Sequence, residues 1–403
     1  MLLKLDELQA LDKLLRLLHV VPTYLPAVRY GGTILAVHAL CRELAAQDHD
    51  VHVFTTSVDG PHDSAVPLGR PVDVEGVKVT YFPSRLLRRL YWSPPLRRAL
   101  ASEVGGFDLV HVHALYLWPP WAAARAATAH GKPYVVSPHG MLVPELIRRK
   151  NRWVKAAWLG LIDRRTIEAA AAVQAASTVE ARHLEAFGWS LPRVATIPHG
   201  VDEPPATAGQ ALTADVAAAV AGGGIVLALG RISWEKGLDR LLAALPLAPS
   251  ARVVVAGADA DGQAARLTAM ARRLGVGDRV TILARFVDGA DKEALFAAAR
   301  VFAMTSLSEN FGLSAFEAMR RGVPVLATPN VGMSEIVREA KAGAVVDASP
   351  AGIAHGLNVL LGDPVASQAM GRAGQARVVA DYSWRAVTRR MEDLYRSVLA
   401  VNA

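Results

Sequence analysis

The segment GRISWEKG (230–237) follows the apolar run Ile225–Leu229 directly. Its glycine permits a sharp turn at the end of a strand. Arg231 and Lys236 then project near the start of a helical stretch, Leu238–Leu245. A strand end, two cations and a helix N-terminus together make an anion site. Arginine can grip a phosphate through two parallel N–H donors, and lysine adds a point charge. A solvated loop with ordinary surface cations has the same composition, and this segment alone leaves both readings open.

A second constellation is SLSENFGLSAFEAMRRGVPVLAT (306–328). Glu309 falls in a loop after a strand ending near Thr305, and Glu317 falls on a helix starting near Gly312. At ~1.5 Å rise per helical residue the two carboxylates stand well apart and suit different parts of one extended ligand. The amides of Phe311, Gly312 and Leu313 are exposed at the helix start, and Gly322 and Pro324 end the helix. A helix with surface glutamates is the plain alternative, but Glu317 sits among Phe316, Ala318 and Met319, so its face is not all solvent.

Other motifs are weaker. Asp259-Ala260-Asp261 has metal-ligand spacing, but a Gly-rich turn after a strand explains it as a solvated turn. His111 and His113 share one strand face, because strand side chains alternate. They could pair on a metal, yet no third ligand is evident. His113, nearer the strand's carboxyl end, is placed to line a cleft. His199 reads as linker structure, and the glycine pair of YGGT (30–33) marks many ordinary turns.

The elements that must position these groups are short Val/Ile/Leu runs alternating with Ala/Leu-rich helical stretches. Strands are expected at Leu17–Val21, Val51–Thr55, Leu109–His113, Tyr134–Ser137, Ala171–Ala175 and Val194–Pro198. A second series is Ile225–Leu229, Arg252–Ala256, Val280–Leu283, Val301–Met304, Val323–Ala327 and Ala344–Val346. Runs of this kind are buried parallel strands, and the alternation argues two doubly wound α/β domains. The expected divisions are 1–202, 203–380 and a terminal helix within 381–403. The linker is IPHGVDEPPA (197–206), and Trp384, Val387, Met391, Leu394 and Val398 form one face of the helix. Residues 1–13 read as a loose amphipathic extension, as an overlong start would give.

Hydrophobic residues make up 52% of the 403 and charged residues 20%, which excludes global disorder. No apolar run approaches the ~18 residues of a membrane span. One cysteine, Cys41, excludes an internal disulfide and a multi-Cys zinc site. With no signal-like cleavage site, a cytoplasmic protein is expected. The formal charge is +7, and most of the excess lies in residues 1–200.

Taken jointly, Gly230, Arg231, Lys236, Gly237, Glu309, Glu317, Gly322, Pro324 and Val325 resemble the C-terminal signature of the retaining glycosyltransferases of family 4. That signature is G-R-x4-K-G, then E-x7-E, then G-x-P-V. YGGTILAVHALCRELAAQDHDVHVFTT (30–56), FDLVHVHALYL (107–117), SPHGML (137–142) and IPHGVD (197–202) also match segments of that family. The resemblance runs from about Leu14 to Leu399. It implies the GT-B fold: two Rossmann-like parallel-sheet domains facing across a cleft, the first for the acceptor and the second for a nucleotide-sugar. It implies that Arg231 and Lys236 bind the donor diphosphate, that Glu309 bonds hydroxyls of the sugar, and that Glu317 holds the ribose. Amides from Asn310 through Phe311 and Gly312 to Leu313 would face sugar and phosphate. Gly31 and Gly32 would let the backbone approach the donor, and His139 would sit at the 6-position side of the reacting sugar. LARFVDG (283–289) resembles the segment framing the nucleobase, and the last helix would cross back onto the first domain. Fixed cations would stabilise the departing diphosphate, so no metal or other cofactor is expected. Neither glutamate need be a nucleophile, unlike the paired carboxylates of retaining glycosidases.

Two basic stretches with aromatic residues and no acid stand apart: 85–98 and 146–160. They suit an anionic membrane surface, where cations meet phosphate and rings lie at headgroup depth. Many members of the family act on lipids or lipid-linked sugars. The expected activity is transfer of a hexose from a UDP- or GDP-sugar to a glycan, glycolipid or lipid-linked saccharide in cell-surface polysaccharide synthesis, at the inner face of the membrane. An epimerase of the same fold would need further acid/base residues, and a non-catalytic nucleotide-sugar-binding protein would not need all four charged groups. No nucleic-acid reader motif is present, and no G-x-G-x-x-G follows the first strand as a dehydrogenase would require.

Overall fold

The structure is a computed structural model that describes residues 14–27, 32–143, 147, 152–207, 209–259 and 262–401. The chain forms two compact units, Met1–Gly200 with Trp384–Ala403, and Val201–Ser383.

The strands of unit 1 are β1 (Arg16–Thr23), β2 (Asp50–Thr56), β3 (Val58–Asp59), β4 (His62–Asp63), β5 (Pro71–Val74), β6 (Val77–Phe82), β7 (Leu109–His113), β8 (Tyr134–Ser137), β9 (Ala172–Ala175) and β10 (Arg193–Thr196). Eight of them form a sheet in the order β10-β9-β8-β7-β1-β2-β6-β5, and β3 pairs with β4 apart from it. Residues 17–23 of β1 and all of β7 are buried, as expected of parallel strands covered on both faces. β1 aligns His19 with His111 of β7.

Only the pair β5 and β6 is antiparallel within that sheet, and this hairpin is a correction to the expected strand set. Its turn is Glu75-Gly76, both at positive φ (52° and 83°). Glycine signals such a turn, but glutamate there is uncommon, so the usual Asn-Gly or Asp-Gly signal is missing.

Unit 2 contains β11 (Ile225–Leu229), β12 (Val253–Ala256), β13 (Val280–Leu283), β14 (Ala299–Met304), β15 (Val325–Ala327) and β16 (Gly343–Val345). They form one parallel sheet in the order β13-β12-β11-β14-β15-β16. β15 starts two residues later than expected, because the Val323 N–H is still bonded to Ala318 O at the end of the preceding helix.

The helix Trp384–Val401 belongs to the core of unit 1. The expected face is buried, together with Thr388 and Tyr395. Tyr395 is fully buried, and its hydroxyl bonds His111 Nδ1 at 2.7 Å. Burying each large apolar side chain of that face contributes roughly 1.5–3 kcal/mol. Gly200 makes room for the helix, since a Cβ there would lie 2.4 Å from the Trp384 ring. Among the described residues no helix is long and apolar enough to cross a membrane.

Candidate active site

In unit 2 the site is built where β11 and β14 end. Gly230 follows β11 at φ 146°, and its N–H bonds Ala256 O at 3.0 Å. The chain then passes through a tight turn, Trp234–Lys236, into the helix Leu238–Ala244. Gly237 joins the two at φ 61°, and a Cβ there would lie 2.2 Å from Thr305 O. Thr305 Oγ1 donates to Gly237 O at 3.1 Å, and the Leu307 N–H donates to Glu235 O at 2.8 Å. The loops after β11 and β14 are thereby clamped together. Between them lies a cavity lined by Gly230, Arg231, Lys236, Thr305 and Ser306.

Lys236 Nζ donates to the Glu309 carboxylate, and both side chains are about four-fifths buried. Glu309 is fixed by its backbone, whose N–H bonds Asn330 O and whose carbonyl accepts from Gly332. Arg231 is half-exposed and pairs with Glu235 at 3.1 Å. The helix Leu313–Arg320 begins at Gly312, φ 92°, where a Cβ would crowd Met304 Sδ at 2.8 Å. Phe311 is buried and stacks on Phe316. Glu317 lies on this helix and bonds Lys292 Nζ at 2.9 Å.

Within 283–289, Arg285 is tied to Asp215 and Asp291 at 2.9 and 2.8 Å, and Phe286 is exposed. The Arg285 bonds pull the Asp215 carboxyl well below its usual range. Asp259 accepts from the N–H groups of Gln263 and Ala264 at the start of the helix Gln263–Arg273. Its carboxylate is a helix cap, and Asp261 lies outside the described residues.

Unit 1 by itself holds a cluster of neutral imidazoles along its central strands β1 and β7 and in the loop after β8. His19 Nδ1 lies 3.0 Å from His113 Nε2, and His113 Nδ1 lies 2.9 Å from His139 Nε2. His139 stacks on His199 at 5.6 Å, so His199 does more than shape the linker. His113, His139, His199 and Gln174 line a cavity with Trp384 and Met391. Burial lowers His19 and His139 to about 3 and His199 to about 4. It also pushes His111 and His113 well below the usual imidazole value, helped by the neighbouring rings.

The missing third partner of the His-x-His pair is therefore His19. Ligand nitrogens of His19, His111 and His113 lie within 4.8 Å of one another. A metal is not favoured, because both nitrogens of His111 are already bonded, to Tyr395 and to Ser137 at 2.7 and 2.6 Å.

Backbone strain gathers beside this cluster. Ala114, Tyr116 and His139 have φ of 73°, 60° and 54°, a region costly for side-chain-bearing residues and common at functional sites. Asp163 accepts from the Tyr116 N–H at 3.0 Å and from Trp158 Nε1 at 3.3 Å, and burial raises its carboxyl to about 7.

Comparison with known proteins decides the family. The profile described as "Glycosyl transferases group 1" matches residues 215–377, and "Glycosyltransferase Family 4" matches 30–203. A D-inositol 3-phosphate glycosyltransferase of Jonesia denitrificans is 30% identical, over 88% of each chain. The chain belongs to glycosyltransferase family 4.

Another relative of this glycosyltransferase is the GDP-mannose:cellobiosyl-diphosphopolyprenol alpha-mannosyltransferase of Komagataeibacter xylinus. It is 29% identical, over 96% of this chain and 94% of its own. The fold matches sucrose-phosphate synthase from Thermosynechococcus elongatus with a TM-score of 0.73 at 22% identity, over 96% and 100% of the two chains. It matches Anabaena HepE in complex with UDP and glucose with a TM-score of 0.72 at 21% identity, over 95% and 100%. The fold is GT-B, two parallel-sheet α/β units.

Of the expected site residues, the glycosyltransferase brings Arg231 and Lys236 to one cavity and joins Lys236 to Glu309. Glu317 is held apart from that cavity's lining, on Lys292. Gly32 is the first residue of the helix Gly32–Ala45, and Gly31 lies outside the described residues. Sequence reasoning missed Lys292, Thr305, Asp163 and His19. A lone histidine inside the apolar run Leu17–Val21 was the one available signal, and it gains meaning only once β1 is known to lie beside β7.

Proposed function

We propose that this glycosyltransferase moves a hexose from a UDP- or GDP-sugar to a saccharide or lipid-linked acceptor, with retention and without a metal. The observation that carries the reading is Lys236 held against Glu309 over a cavity lined by Gly230, Arg231, Thr305 and Ser306. A diphosphate entering there would compete for Lys236 and free Glu309 for sugar hydroxyls. Arg231 would add a second cation. Negative charge grows on the diphosphate as the sugar–oxygen bond breaks, and fixed cations stabilise it where it develops. The acceptor hydroxyl would attack the face that the diphosphate leaves. A phosphate oxygen would take its proton, so no carboxylate need act as base.

Asn310, Phe311, Gly312 and Leu313 are assigned to the sugar and phosphate, Glu317 to the ribose, and His139 to the transferred hexose. The proposed UDP or GDP is in keeping with a relative named for GDP-mannose and with a structural neighbour bound to UDP and glucose. The polyprenol-linked acceptor named for the Komagataeibacter relative supports a lipid-linked one here.

The test is release of UDP or GDP from a panel of nucleotide-sugars, in EDTA, with NMR of the product's anomeric configuration. Release that persists in EDTA and a retained configuration are expected. Loss in EDTA removes the metal-free reading, and an inverted product removes retention.

The stretch 85–98 is assigned to an anionic membrane. Arg85, Arg89, Arg97 and Arg98 are exposed, as are Leu86 and Leu87, while Arg88 turns inward to Asp63 at 2.7 Å. In 146–160 the pattern is mixed. Trp153 is exposed, but Trp158 points to Asp163, and residues 146 and 148–151 lie outside the described residues. Exposed cations beside exposed leucines suit a lipid surface. Binding to anionic vesicles should fall with salt and with charge reversal at Arg97 and Arg98; unchanged binding removes the assignment.

A further inference from the structure

Glu75 lies outside both cavities, in the β5–β6 turn, at φ 52°. Glycine, asparagine and aspartate adopt that left-handed backbone readily, and a glutamate there costs stability. Such an outlier persists where another requirement outweighs its cost. Here the requirement is reach. Glu75 Oε2 lies 3.2 Å from His38 Nε2 and 3.3 Å from Arg42 Nη1. His38 and Arg42 stand one turn apart on the helix Gly32–Ala45. An aspartate or asparagine, one methylene shorter, falls short of both.

The contact continues inward. A carboxylate only accepts, so His38 carries a proton on Nε2. That N–H and the Arg42 guanidinium hold the Glu75 carboxyl below its usual range. His38 Nδ1 lies 2.9 Å from the Tyr24 hydroxyl. Burial keeps the Tyr24 phenol protonated, so its O–H donates to the Nδ1 lone pair of a neutral imidazole. Tyr24 and His38 are buried, whereas the Glu75 side chain is 60% exposed. The chain thus runs from a surface turn to the segment that leaves β1. In that segment Tyr24 O accepts from the Ala27 N–H at 3.0 Å. Leu25 O accepts from the hydroxyl of Tyr81, on β6, at 2.5 Å.

Sheet order gives this segment its importance. The chain passes outward from β1 to β2 and β6, then crosses to β7 on the other side of β1 and runs outward to β10. The topology therefore reverses between β1 and β7. Open α/β sheets bind ligands outside the carboxyl ends of their strands at such a point. Tyr24, Leu25 and Ala27 follow the carboxyl end of β1, and Gly32 opens the helix that carries His38.

We propose that Glu75, His38 and Tyr24 are positioning residues that fix Ala27 and Gly32, the two flanks of the glycine loop assigned to the donor. The donor's part in this rests on the glycosyltransferase reading; the hydrogen-bond chain rests on unit 1 alone.

The experiment is Glu75→Asn in the full chain, because turn preference and positioning predict opposite changes. Asn-Gly is a preferred turn pair, and the exposed contact with Arg42 is worth little. The thermal midpoint should therefore stay level or rise. The link to Tyr24 is broken, so the Ala27 amide should exchange hydrogen about tenfold faster. For nucleotide release from the donor, kcat/KM should fall about tenfold. Glu75→Gln keeps an accepting oxygen at the same reach and should recover most of both. Tyr24→Phe should repeat the loss, and Glu75→Asn should add little to it, as members of one chain do. A lower midpoint in Glu75→Asn overturns the strain argument. Exchange or kcat/KM within twofold of the unmodified protein overturns the positioning role, and so does full additivity in the double variant. Glu75 is exposed, so its variants decide the matter even if Tyr24→Phe fails to fold. If exchange changes as expected but the unmodified protein releases no nucleotide from any donor, the glycosyltransferase reading fails and the hydrogen-bond chain stands.

Discussion

The two units solve the problem of polar groups near a cavity in opposite ways. Unit 2 places charged pairs at its cavity, Lys236 with Glu309 and Arg231 with Glu235, and leaves them partly exposed. Unit 1 buries neutral imidazoles and satisfies them with one another and with Ser137, Gln174 and Tyr395. Charge left accessible can exchange its partner for a phosphate at modest cost. A buried neutral chain cannot exchange anything cheaply, but it fixes direction, because each contact inside it pairs one donor with one acceptor. The first arrangement suits stabilisation of a developing charge, and the second suits orientation of a hydroxyl.

The largest effect that would break this comparison is at Lys236. Lys236→Ala should reduce nucleotide release by about 10²–10³-fold, the cost of removing one transition-state charge partner. Arg231→Ala should follow with a similar or smaller loss. Unchanged steady-state release in both variants would remove the diphosphate site from unit 2.

Gly257→Ala tests the scaffold behind that site. A Cβ at Gly257 would lie 1.9 Å from Gly230 O, with φ at 150°. Unit 2 should lose about 3 kcal/mol, seen as faster hydrogen exchange in β11 and β12. Unit 1 amides should be unaffected. Equal exchange in both proteins would mean that the strand ends can part without cost.

Acid should separate the units. His19 and His139 take up protons near pH 3 and His199 near pH 4 in the fold, against 6.5 in the unfolded chain. Below pH 6.5 the unfolded state therefore binds more protons, and the stability of unit 1 falls as pH drops. The limit is about 1.4 kcal/mol per pH unit for each such histidine. Asp163 works against this. Its folded value is about 7 against 3.8, so it contributes stability that is present at low pH and lost as pH rises through 7. One carboxyl offsets about one histidine, so the net slope stays with the imidazoles. Asp215, pulled down by Arg285, loses its contribution only below pH 3.8. Limited proteolysis at pH 5 should cut unit 1 before unit 2, and the reverse order would contradict the neutral cluster.

The smallest effects are at groups one step from the site. Lys292→Ala should raise KM for the donor about tenfold, or ~1.4 kcal/mol, if Glu317 needs that partner to hold a ribose. Tyr395→Phe should cost unit 1 about 1 kcal/mol by taking the hydroxyl from His111 Nδ1. A neutral result at Tyr395 would sharpen the comparison, by showing that the His111 arm matters less than the His19–His113–His139 arm.

Both parallel sheets were legible because buried parallel strands are continuous Val, Ile and Leu runs, and Leu109–His113, Tyr134–Ser137, Ile225–Leu229 and Val280–Leu283 have the expected ends. The β5–β6 hairpin was not, since Glu75 occupies a backbone conformation its type does not announce. At the site, spacing placed Arg231 and Lys236 beside one strand end, and Glu309 in a loop with Glu317 on the helix after it. Their partners were invisible, because Lys236 with Glu309 spans 73 residues and Lys292 with Glu317 spans 25.

By itself the sequence determined the chemistry on offer: cations after a strand, acids on a loop and a helix, histidines in apolar runs. The tertiary structure decided which groups meet. Sheet order set β1 beside β7 and so turned three scattered histidines into one chain, and no local spacing encodes which strands become neighbours.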